Sequence, residues 1–309
     1  MFIILFVLVN YDGFCQTIQS YDIVVYGGTS AGISAAIQGS RMEKKILLIE
    51  PGHRIGGLTT GGLGQTDIGN KQAIGGISRE FYQNIKSHYQ KQENWKWQKQ
   101  ESYRDGGQTT TDSREDTMWT FEPSAALKVF NDMIRAEKNI SLVYAQRLNR
   151  KSGVKKTGGK IASIQMESGQ IYQSKIFIDA TYEGDLMAAA GVSYALGRES
   201  NTQYGESLNG VQANNVSLSL KKTISMNATH HNFIERVDPY IKKGDPKSGL
   251  LPFINQRKPG IDGDGDDKIQ AYCYRMTLTK QPDNRIPISK PSGYQEIEYE
   301  LLFRNYEAA

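Results

Sequence analysis

The sequence predicts an α/β fold: a parallel sheet with helices and a β-meander, followed by part of a mixed α+β domain. Three observations near the N-terminus predict the parallel sheet. Residues 23–26 are an apolar run, residues 27–32 form a glycine-rich turn, and residues 46–49 form a second apolar run that ends in Glu50. A run that is apolar throughout suits a strand buried on both faces of a parallel sheet. The order strand, turn, helix and strand is typical of a dinucleotide-binding βαβ unit.

The turn at residues 27–32 carries the residue types that bind a phosphate. It reads Gly-Gly-Thr-Ser-Ala-Gly, and small residues continue along the helix that begins near Ala31. Such a helix can lie close to the sheet with its N-terminal N–H groups facing a pyrophosphate. Thr29 stands where the Gly-x-Gly-x-x-Gly pattern has its middle glycine, and we expect its hydroxyl to donate to a phosphate. Glu50 is expected to accept hydrogen bonds from a ribose hydroxyl.

The segment after Glu50 indicates whether the cofactor is a flavin or a nicotinamide dinucleotide. Residues 51–64 read Pro-Gly-His-Arg-Ile-Gly-Gly-Leu-Thr-Thr-Gly-Gly-Leu-Gly. Backbone with two glycine doublets can pass close to a second phosphate or to a flavin ring, with free N–H groups and threonine hydroxyls as donors. Nicotinamide-binding folds usually enter an ordinary helix at this point. The segment therefore favours FAD, and it weakens the alternative of an NAD-linked dehydrogenase.

With this segment the chain resembles the FAD-dependent oxidoreductases of the glutathione-reductase type, specifically the bacterial group with a Gly-Gly-Thr-x-Ala-Gly turn. Further motifs extend the resemblance over residues 21–309, at residues 74–82, 121–123, 179–186 and 269–272. The resemblance implies FAD as cofactor and flavin-mediated hydride transfer to or from a small molecule. Carbohydrate-related compounds are one candidate class of substrate. It also implies that Asp179, Ala180 and Thr181 pass the dinucleotide again, with Tyr182 where the simpler pattern has glycine.

The predicted cofactor site combines the first turn, the ribose acid, the second glycine-rich segment and the end of a later strand. Its residues are Gly27, Gly28, Thr29, Ser30, Ala31, Gly32, Glu50, Arg54, Gly56, Gly57, Thr59, Thr60, Gly61, Gly62, Ala180 and Thr181. No catalytic side chain is predicted, because in a flavoenzyme the ring carries the redox chemistry. Glu183 and Asp185 are interpreted as helix-capping or neighbouring residues, and Arg79 with Glu80 as a structural ion pair.

The charge, the cysteine count and the acidic residues argue against nucleic acid, an iron–sulfur cluster and calcium as binding partners. A net charge of +4 over 309 residues, with basic and acidic residues interspersed, shows no footprint for nucleic acid. The two cysteines, Cys15 and Cys273, are too few for an iron–sulfur cluster. The acidic run at residues 262–267 departs from a calcium-binding EF-hand loop at its sixth and twelfth positions, so a flexible acidic turn is predicted and no metal site.

The N-terminus predicts export. Residues 2–9 are an apolar run of signal-peptide length, too short for a membrane span, and cleavage is expected near Cys15 or Gln16. No Lys or Arg precedes the run, which is atypical of such signals. The predicted organisation is therefore a signal peptide at residues 1–16, a Rossmann-like FAD-binding domain at residues 17–193 and a substrate domain at residues 194–309.

The remaining elements follow from periodicity and turn signals. Helices are predicted at residues 78–91, 123–136 and 185–190, a third parallel strand at 140–144, a β-meander at 152–174 and a returning strand at 175–180. Residues 90–114 form a polar stretch that contains Trp95 and Trp97. Either the stretch is exposed and lies over the mouth of the active site, or the two tryptophans anchor it to the protein surface. From residue 194 onward we expect short strands and loops, with a helix at 301–306.

The predicted substrate domain lacks one expected part. Flavoproteins of this class complete the sheet with a C-terminal, glycine-rich helix start that points at the flavin, and nothing after residue 194 resembles it. We therefore expect a truncated chain whose FAD site needs a further C-terminal segment. The alternative function is an inactive dinucleotide- or carbohydrate-binding module. Neither the substrate nor the electron acceptor follows from the sequence.

Overall fold

The computed structural model describes residues 19–65, 70–103, 116–212, 237–258, 260–269 and 275–308. The chain divides into two compact units. The first comprises Met1–Tyr194 and Tyr274–Arg285, and the second comprises Ala195–Cys273 and Ile286–Ala309. Within the described ranges, no helix is long and apolar enough to cross a membrane. Both cysteines, the predicted signal peptide at residues 1–16 and residues 213–236 lie outside the described part.

A six-stranded sheet forms the centre of the first unit. Its strands are β1 (Gln19–Tyr26), β2 (Ile46–Ile49), β3 (Ile140–Val143), β4 (Val154–Thr157), β5 (Lys160–Gln165) and β6 (Ile171–Asp179). Their order is β3-β2-β1-β6-β5-β4. Strands β3, β2, β1 and β6 run parallel, while β4 and β5 are antiparallel to their neighbours. The predicted α/β class and its three N-terminal parallel strands are confirmed.

Strand β6 (Ile171–Asp179) combines residues that were predicted to belong to two separate elements. It pairs antiparallel with β5 near its start and parallel with β1 along its whole length. The last strand of the predicted β-meander and the returning strand are therefore one continuous strand, and the meander extends the main sheet. No turn residue interrupts residues 171–179, which is why a single strand forms. Its register pairs Asp179 with Tyr26.

Helices pack on both faces of this sheet, and their bounds are close to those predicted. In the first unit they are α1 (Ser30–Arg41), α2 (Gly57–Thr60), α3 (Gly76–Tyr89), α4 (Pro123–Ala136) and α5 (Asp185–Ala189). Short 3₁₀ turns occupy Lys71–Ala73, Gln92–Asn94, Gln100–Ser102 and Pro282–Asn284. Helix α4 begins with proline at its first turn, where the missing N–H is not needed.

The core lies on both faces of β1 and β2, as their apolar runs predict. Val25 and Leu48 pack with α1, α3 and α4, whereas Val24 and Leu47 pack with the β-meander side. All four of these side chains are fully buried. Burying one such side chain stabilises the fold by roughly 1.5–3 kcal/mol. These strands therefore form a rigid base for the residues that follow their carboxyl ends.

Trp95 anchors the described part of the polar stretch. Its indole N–H donates to the carbonyl oxygen of Tyr89 at 2.7 Å, and its ring lies against the rings of Tyr89 and Tyr103. Burial raises the pKa of Tyr89. This arrangement favours the anchoring interpretation for Trp95, while residues 104–115 lie outside the described residues.

The predicted pair between Arg79 and Glu80 is wrong. Glu80 binds Arg41 through two hydrogen bonds of 2.8 Å, and Arg79 binds Asp116 at 2.8 Å. Consecutive residues of α3 point to different sides of the helix, so they do not face each other. The hydrogen bonds from Arg41 lower the pKa of Glu80. Both pairs are partly exposed, and such pairs contribute little to stability.

The second unit contains helices α6 (Asn201–Tyr204) and α7 (Glu300–Ala308) and 3₁₀ turns at Pro246–Ser248 and Glu296–Tyr299. In place of the expected short strands, its described residues form two isolated bridges, Arg198 with Asp266 and Tyr240 with Leu250. Arg304 of α7 is buried and donates to Glu300 Oε1 and to the carbonyl oxygens of Asp238 and Tyr240. Backbone carbonyls, rather than a strand ladder, thus fix α7.

Asp266 links the acidic turn to the rest of the second unit. Its carboxylate accepts hydrogen bonds from both Nε and Nη2 of Arg198, and these bonds lower the pKa of Asp266 to about 2. The described residues hold no cluster of His, Cys, Asp and Glu suited to a metal ion. The acidic run is therefore engaged in an ion pair at Asp266.

Asp266→Asn should lower the free energy of unfolding at neutral pH and lose this effect in acid. The folded pKa lies below the unfolded value of about 3.9, so the carboxylate stabilises the fold above that value and stops doing so as the pH falls through about 2. Urea unfolding of the unmodified chain and of the variant at pH 7 and at lower pH measures the difference. A difference that stays constant down to the lowest pH would contradict this role.

Candidate cofactor site

Three strand ends meet at one edge of the sheet. The register sets Tyr26 of β1 beside Ile49 of β2 and beside Asp179 of β6. Gly27, Glu50 and Ala180, the residues that follow, therefore lie at the carboxyl edge. In open α/β sheets this edge is where ligands bind.

Glycine is required twice in the first turn for close approach. Gly27 has φ +107°, and a Cβ there would lie 2.7 Å from the carbonyl carbon of Ala180. A Cβ at Gly32 would lie 1.9 Å from the carbonyl oxygen of Gly27. The start of α1 thus sits directly against the strand ends. The N–H groups of Ser30 and Ala31 precede the first intrahelical bond, so they have no partner within the helix.

Thr29 caps α1, which differs from the expected phosphate contact. Its hydroxyl donates to the carbonyl oxygen of Ala180 at 2.7 Å and accepts from the N–H of Gly32 at 3.3 Å. The carbonyl of Ala180 lies just past the end of β6 and needs a donor. The hydroxyl proton of Thr29 is therefore used within the protein, where it ties α1 to the end of β6.

Glu50 is held by two backbone N–H groups. Oε2 accepts from Gly28 at 3.0 Å and Oε1 accepts from Gly52 at 2.6 Å. A Cβ at Gly28 would lie 2.7 Å from Oε2, so glycine permits this contact. Each carboxylate oxygen can accept a second hydrogen bond. The half-buried carboxylate is thereby oriented while keeping capacity for ribose hydroxyls.

The second glycine-rich segment lies directly on the first turn. The N–H of Gly56 donates to the carbonyl oxygen of Gly28 at 2.6 Å. The Ser30 hydroxyl contacts the carbonyl oxygen of Gly56 at 3.2 Å and the hydroxyl of Thr59 at 2.8 Å. The two segments predicted to bind the cofactor are thus brought together around one cradle.

Other members of the second segment have different surroundings. Thr60 is buried and donates to the carbonyl oxygen of Ile55 at 2.5 Å. Arg54 is exposed and donates to the carbonyl oxygen of Pro123 at 3.4 Å. Gly61 and Gly62 end helix α2, with Gly62 at φ +122°. In this structure Thr60 and Arg54 therefore contact the protein backbone.

Thr181 and Asp179 form the cap of helix α5. The Thr181 hydroxyl donates to Asp179 Oδ1 at 2.7 Å and accepts from the N–H groups of Gly184 and Asp185. Asp179 Oδ2 accepts from the N–H of Met187 at 2.8 Å. Sequence reasoning placed Asp179 beside the dinucleotide and missed its capping role, although Asp and Thr just before a short helix are typical capping residues. Asp185 lies in the first turn of α5 and pairs with Arg150 at 3.3 Å.

Tyr182 reaches from the end of β6 to the second glycine-rich segment. Its phenol oxygen accepts from the N–H of Leu58 at 2.9 Å. A Cβ at Gly57 would lie 2.2 Å from that oxygen. The sequence indicates only that Tyr182 departs from a simpler Ala-Thr-Gly pattern; its contact with Leu58 crosses 124 positions of the chain.

The cradle combines a tight glycine turn, an oriented acid and a second glycine-rich segment at one sheet edge. A family model described as FAD dependent oxidoreductase matches residues 22–309. The chain belongs to the FAD-dependent oxidoreductase family. FAD is accordingly its cofactor, and the Rossmann-type fold agrees with that membership. No curated protein matches the chain.

Solved structures resemble this member of the family only distantly. The L-proline dehydrogenase from P. horikoshii is 16% identical, with a TM-score of 0.37 over 60% of this chain and 59% of its own. PqsL, a probable FAD-dependent monooxygenase from Pseudomonas aeruginosa, is 12% identical, with a TM-score of 0.34 over 59% of this chain and 48% of its own. The bacillithiol disulfide reductase Bdr from Staphylococcus aureus is 17% identical, with a TM-score of 0.31 over 53% and 39%. The aligned part spans 59% or less of each of these three structures.

The residues of the cradle fit FAD. No side chain can be added at Gly27, Gly28 or Gly32 without meeting the backbone or Glu50. The turn therefore presents bare backbone to a ligand, which a pyrophosphate needs for close approach. The oriented Glu50 carboxylate suits ribose hydroxyls, and the unpartnered N–H groups at the start of α1 suit a phosphate.

Proposed function

We propose that this flavoprotein is an exported oxidoreductase that uses flavin-mediated hydride transfer on a small organic molecule. The observation that carries the proposal is the meeting of the first turn, Glu50 and the segment 56–62 at the carboxyl edge of β1, β2 and β6. This placement matches the edge where dinucleotides bind in such sheets. The family membership supplies the redox class.

The chain's own residues bind and orient the cofactor. The N–H groups at the start of α1 would hold the pyrophosphate, and Glu50 would accept hydrogen bonds from the ribose hydroxyls. Thr29 keeps α1 against the end of β6 through its bond to Ala180. Bound FAD supplies a ring that exchanges a hydride with the substrate. Substrate binding then requires a cavity with apolar walls and a few polar groups.

An aromatic cavity supports a small-molecule substrate. Its volume is about 200 Å³, and its lining includes Trp95, Trp97, Tyr103, Gln98 and Glu122. Aromatic rings beside carboxamide and carboxylate groups suit ring compounds that carry hydroxyl groups. We therefore propose carbohydrate-related compounds as the first substrate class to test.

One wall of this cavity is connected to the cofactor segment. Phe121, which also lines the cavity, donates its N–H to the carbonyl oxygen of Gly64 at 3.0 Å. Gly64 is the last residue of the glycine-rich segment 51–64. A backbone hydrogen bond thus links one wall of the cavity to the glycine-rich segment within the first unit.

Anaerobic reduction of the bound flavin tests the proposed activity. Purified holoprotein would be mixed with sugars, polyols, hydroxy acids and amino acids, and the visible flavin bands followed over time. We expect a carbohydrate-related compound to bleach the bands, with dithionite as the control for a reducible flavin. Bands that bleach with dithionite and with no other compound would contradict a hydride-transfer enzyme for these classes and favour an inactive binding module.

Export is a second testable part of the proposal. Expression of the full chain in a Gram-negative host should yield a periplasmic protein whose N-terminus lies near Cys15 or Gln16. The mass of the purified protein and N-terminal sequencing measure this directly, with a variant lacking residues 2–9 as the control. An intact N-terminus on cytoplasmic protein would contradict export.

A further inference from the structure

We propose that Tyr182 is a positioning residue of the FAD site, which holds the turn at Gly56 and Gly57 in its cofactor-binding shape. The inference rests on the proposed function, because it assigns a role at the same site. Its evidence is the contact that the phenol makes with the backbone of the second segment.

The phenol oxygen of Tyr182 contacts the backbone of the second glycine-rich segment. The hydroxyl oxygen accepts from the N–H of Leu58 at 2.9 Å. It also stands above Gly57, where a Cβ would be only 2.2 Å away. Only glycine at position 57 allows the phenol to approach this closely. The contact therefore depends on a matched pair, a glycine in the turn and a tyrosine after β6.

The turn needs support from outside itself. Gly56 and Gly57 both have positive φ, at +93° and +53°. Glycine loses more conformational freedom on ordering than other residues, so two consecutive glycines in this region form a soft segment. Ser30 holds one side of the segment through the carbonyl oxygen of Gly56 and the hydroxyl of Thr59. Tyr182 holds the other side through Leu58.

The exposure of Tyr182 indicates that the residue is not part of the hydrophobic core. The residue is 56% exposed, so burial of its ring adds little to folding. The Leu58 N–H is the hydrogen-bond partner that the described residues provide for its hydroxyl. We therefore expect its removal to act on the bound cofactor more than on the stability of the apoprotein.

Tyr182→Phe removes the hydroxyl and keeps the ring. We expect FAD affinity to fall roughly fivefold to tenfold, the size of one lost hydrogen bond. Titration of FAD into apoprotein, followed by flavin fluorescence, measures the dissociation constant. Thermal unfolding of the apoprotein provides the second readout, and its midpoint should stay unchanged. Tyr194→Phe is the matched control, since Tyr194 is 57% exposed in the same unit.

Gly57→Ala tests the same contact from the other side. In the unmodified chain the new methyl would meet the phenol oxygen, so affinity should fall strongly. In the double variant with Tyr182→Phe the nearest ring atom is Cζ at 3.0 Å from that position, so part of the loss should be relieved. The two effects should therefore be non-additive. Purely additive effects would overturn the contact as the cause.

FAD affinity and apoprotein stability, measured for Tyr182→Phe and for the unmodified chain, test the positioning role separately from the proposed function. Weaker FAD binding by Tyr182→Phe with an unchanged apoprotein midpoint supports the positioning role. Equal affinity overturns it, and so does a loss of affinity matched by a loss of apoprotein stability, because that result indicates a structural residue. If the unmodified chain binds no FAD, both the proposed function and the inference fail.

Discussion

Gly32→Ala should abolish FAD binding. The added Cβ would lie 1.9 Å from the carbonyl oxygen of Gly27 and 3.2 Å from the Cβ of Ala180. Because those atoms belong to the strand ends, helix α1 must move away from the sheet. Its free N–H groups would then leave the position that a pyrophosphate requires. The loss of affinity should exceed roughly a hundredfold, which corresponds to about 2.7 kcal/mol.

The flavin content of purified Gly32→Ala, and its FAD titration, measure this effect. Overpacking should also lower the stability of the fold by about 1–3 kcal/mol, so unfolding of the apoprotein must be measured in parallel. Gly293→Ala is a matched control, because a Cβ at Gly293 meets no atom within 4 Å. A folded Gly32→Ala variant with full flavin content would contradict the site assignment.

Glu50→Ala should weaken FAD binding about tenfold to a hundredfold, which is less than Gly32→Ala. The substitution removes the acceptor for ribose hydroxyls and leaves the N–H groups of Gly28 and Gly52 without their partners. A lost acceptor in a partly buried site costs about 1–3 kcal/mol. Glu50→Gln keeps one carbonyl oxygen, so its affinity should lie between those of Glu50→Ala and the unmodified chain.

FAD dissociation constants for both Glu50 variants give the comparison. Glu167→Ala serves as the control, since Glu167 is an exposed acid next to the β-meander. Affinity in Glu50→Ala equal to that of the control would show that the carboxylate does not bind the ribose.

Local patterns explain what the sequence could predict. The apolar runs of β1 and β2 are buried on both faces, and the amphipathic spacing of α4 places Val129 and Phe130 in the core. The glycine turn and Glu50 come together because consecutive elements of a βαβ unit end at the same edge. These features depend on residues close in sequence, so periodicity and turn chemistry suffice to find them.

Long-range contacts explain what the sequence could not predict. The Thr29 hydroxyl donates to Ala180, 151 positions away, instead of remaining free for a phosphate. Tyr182 meets Leu58 only because β6 returns beside β1. Glu80 turns to Arg41 on another helix rather than to its neighbour Arg79. In each case the partner is set by the packing of distant elements, which a local pattern does not contain.

An absorbance spectrum of the purified chain tests whether the folded protein binds FAD. It is recorded before and after denaturation and again after FAD is added. We expect visible flavin bands on the folded protein, either as purified or after uptake, and a released chromophore identical to FAD. A folded but colourless protein that takes up no added FAD would contradict this expectation.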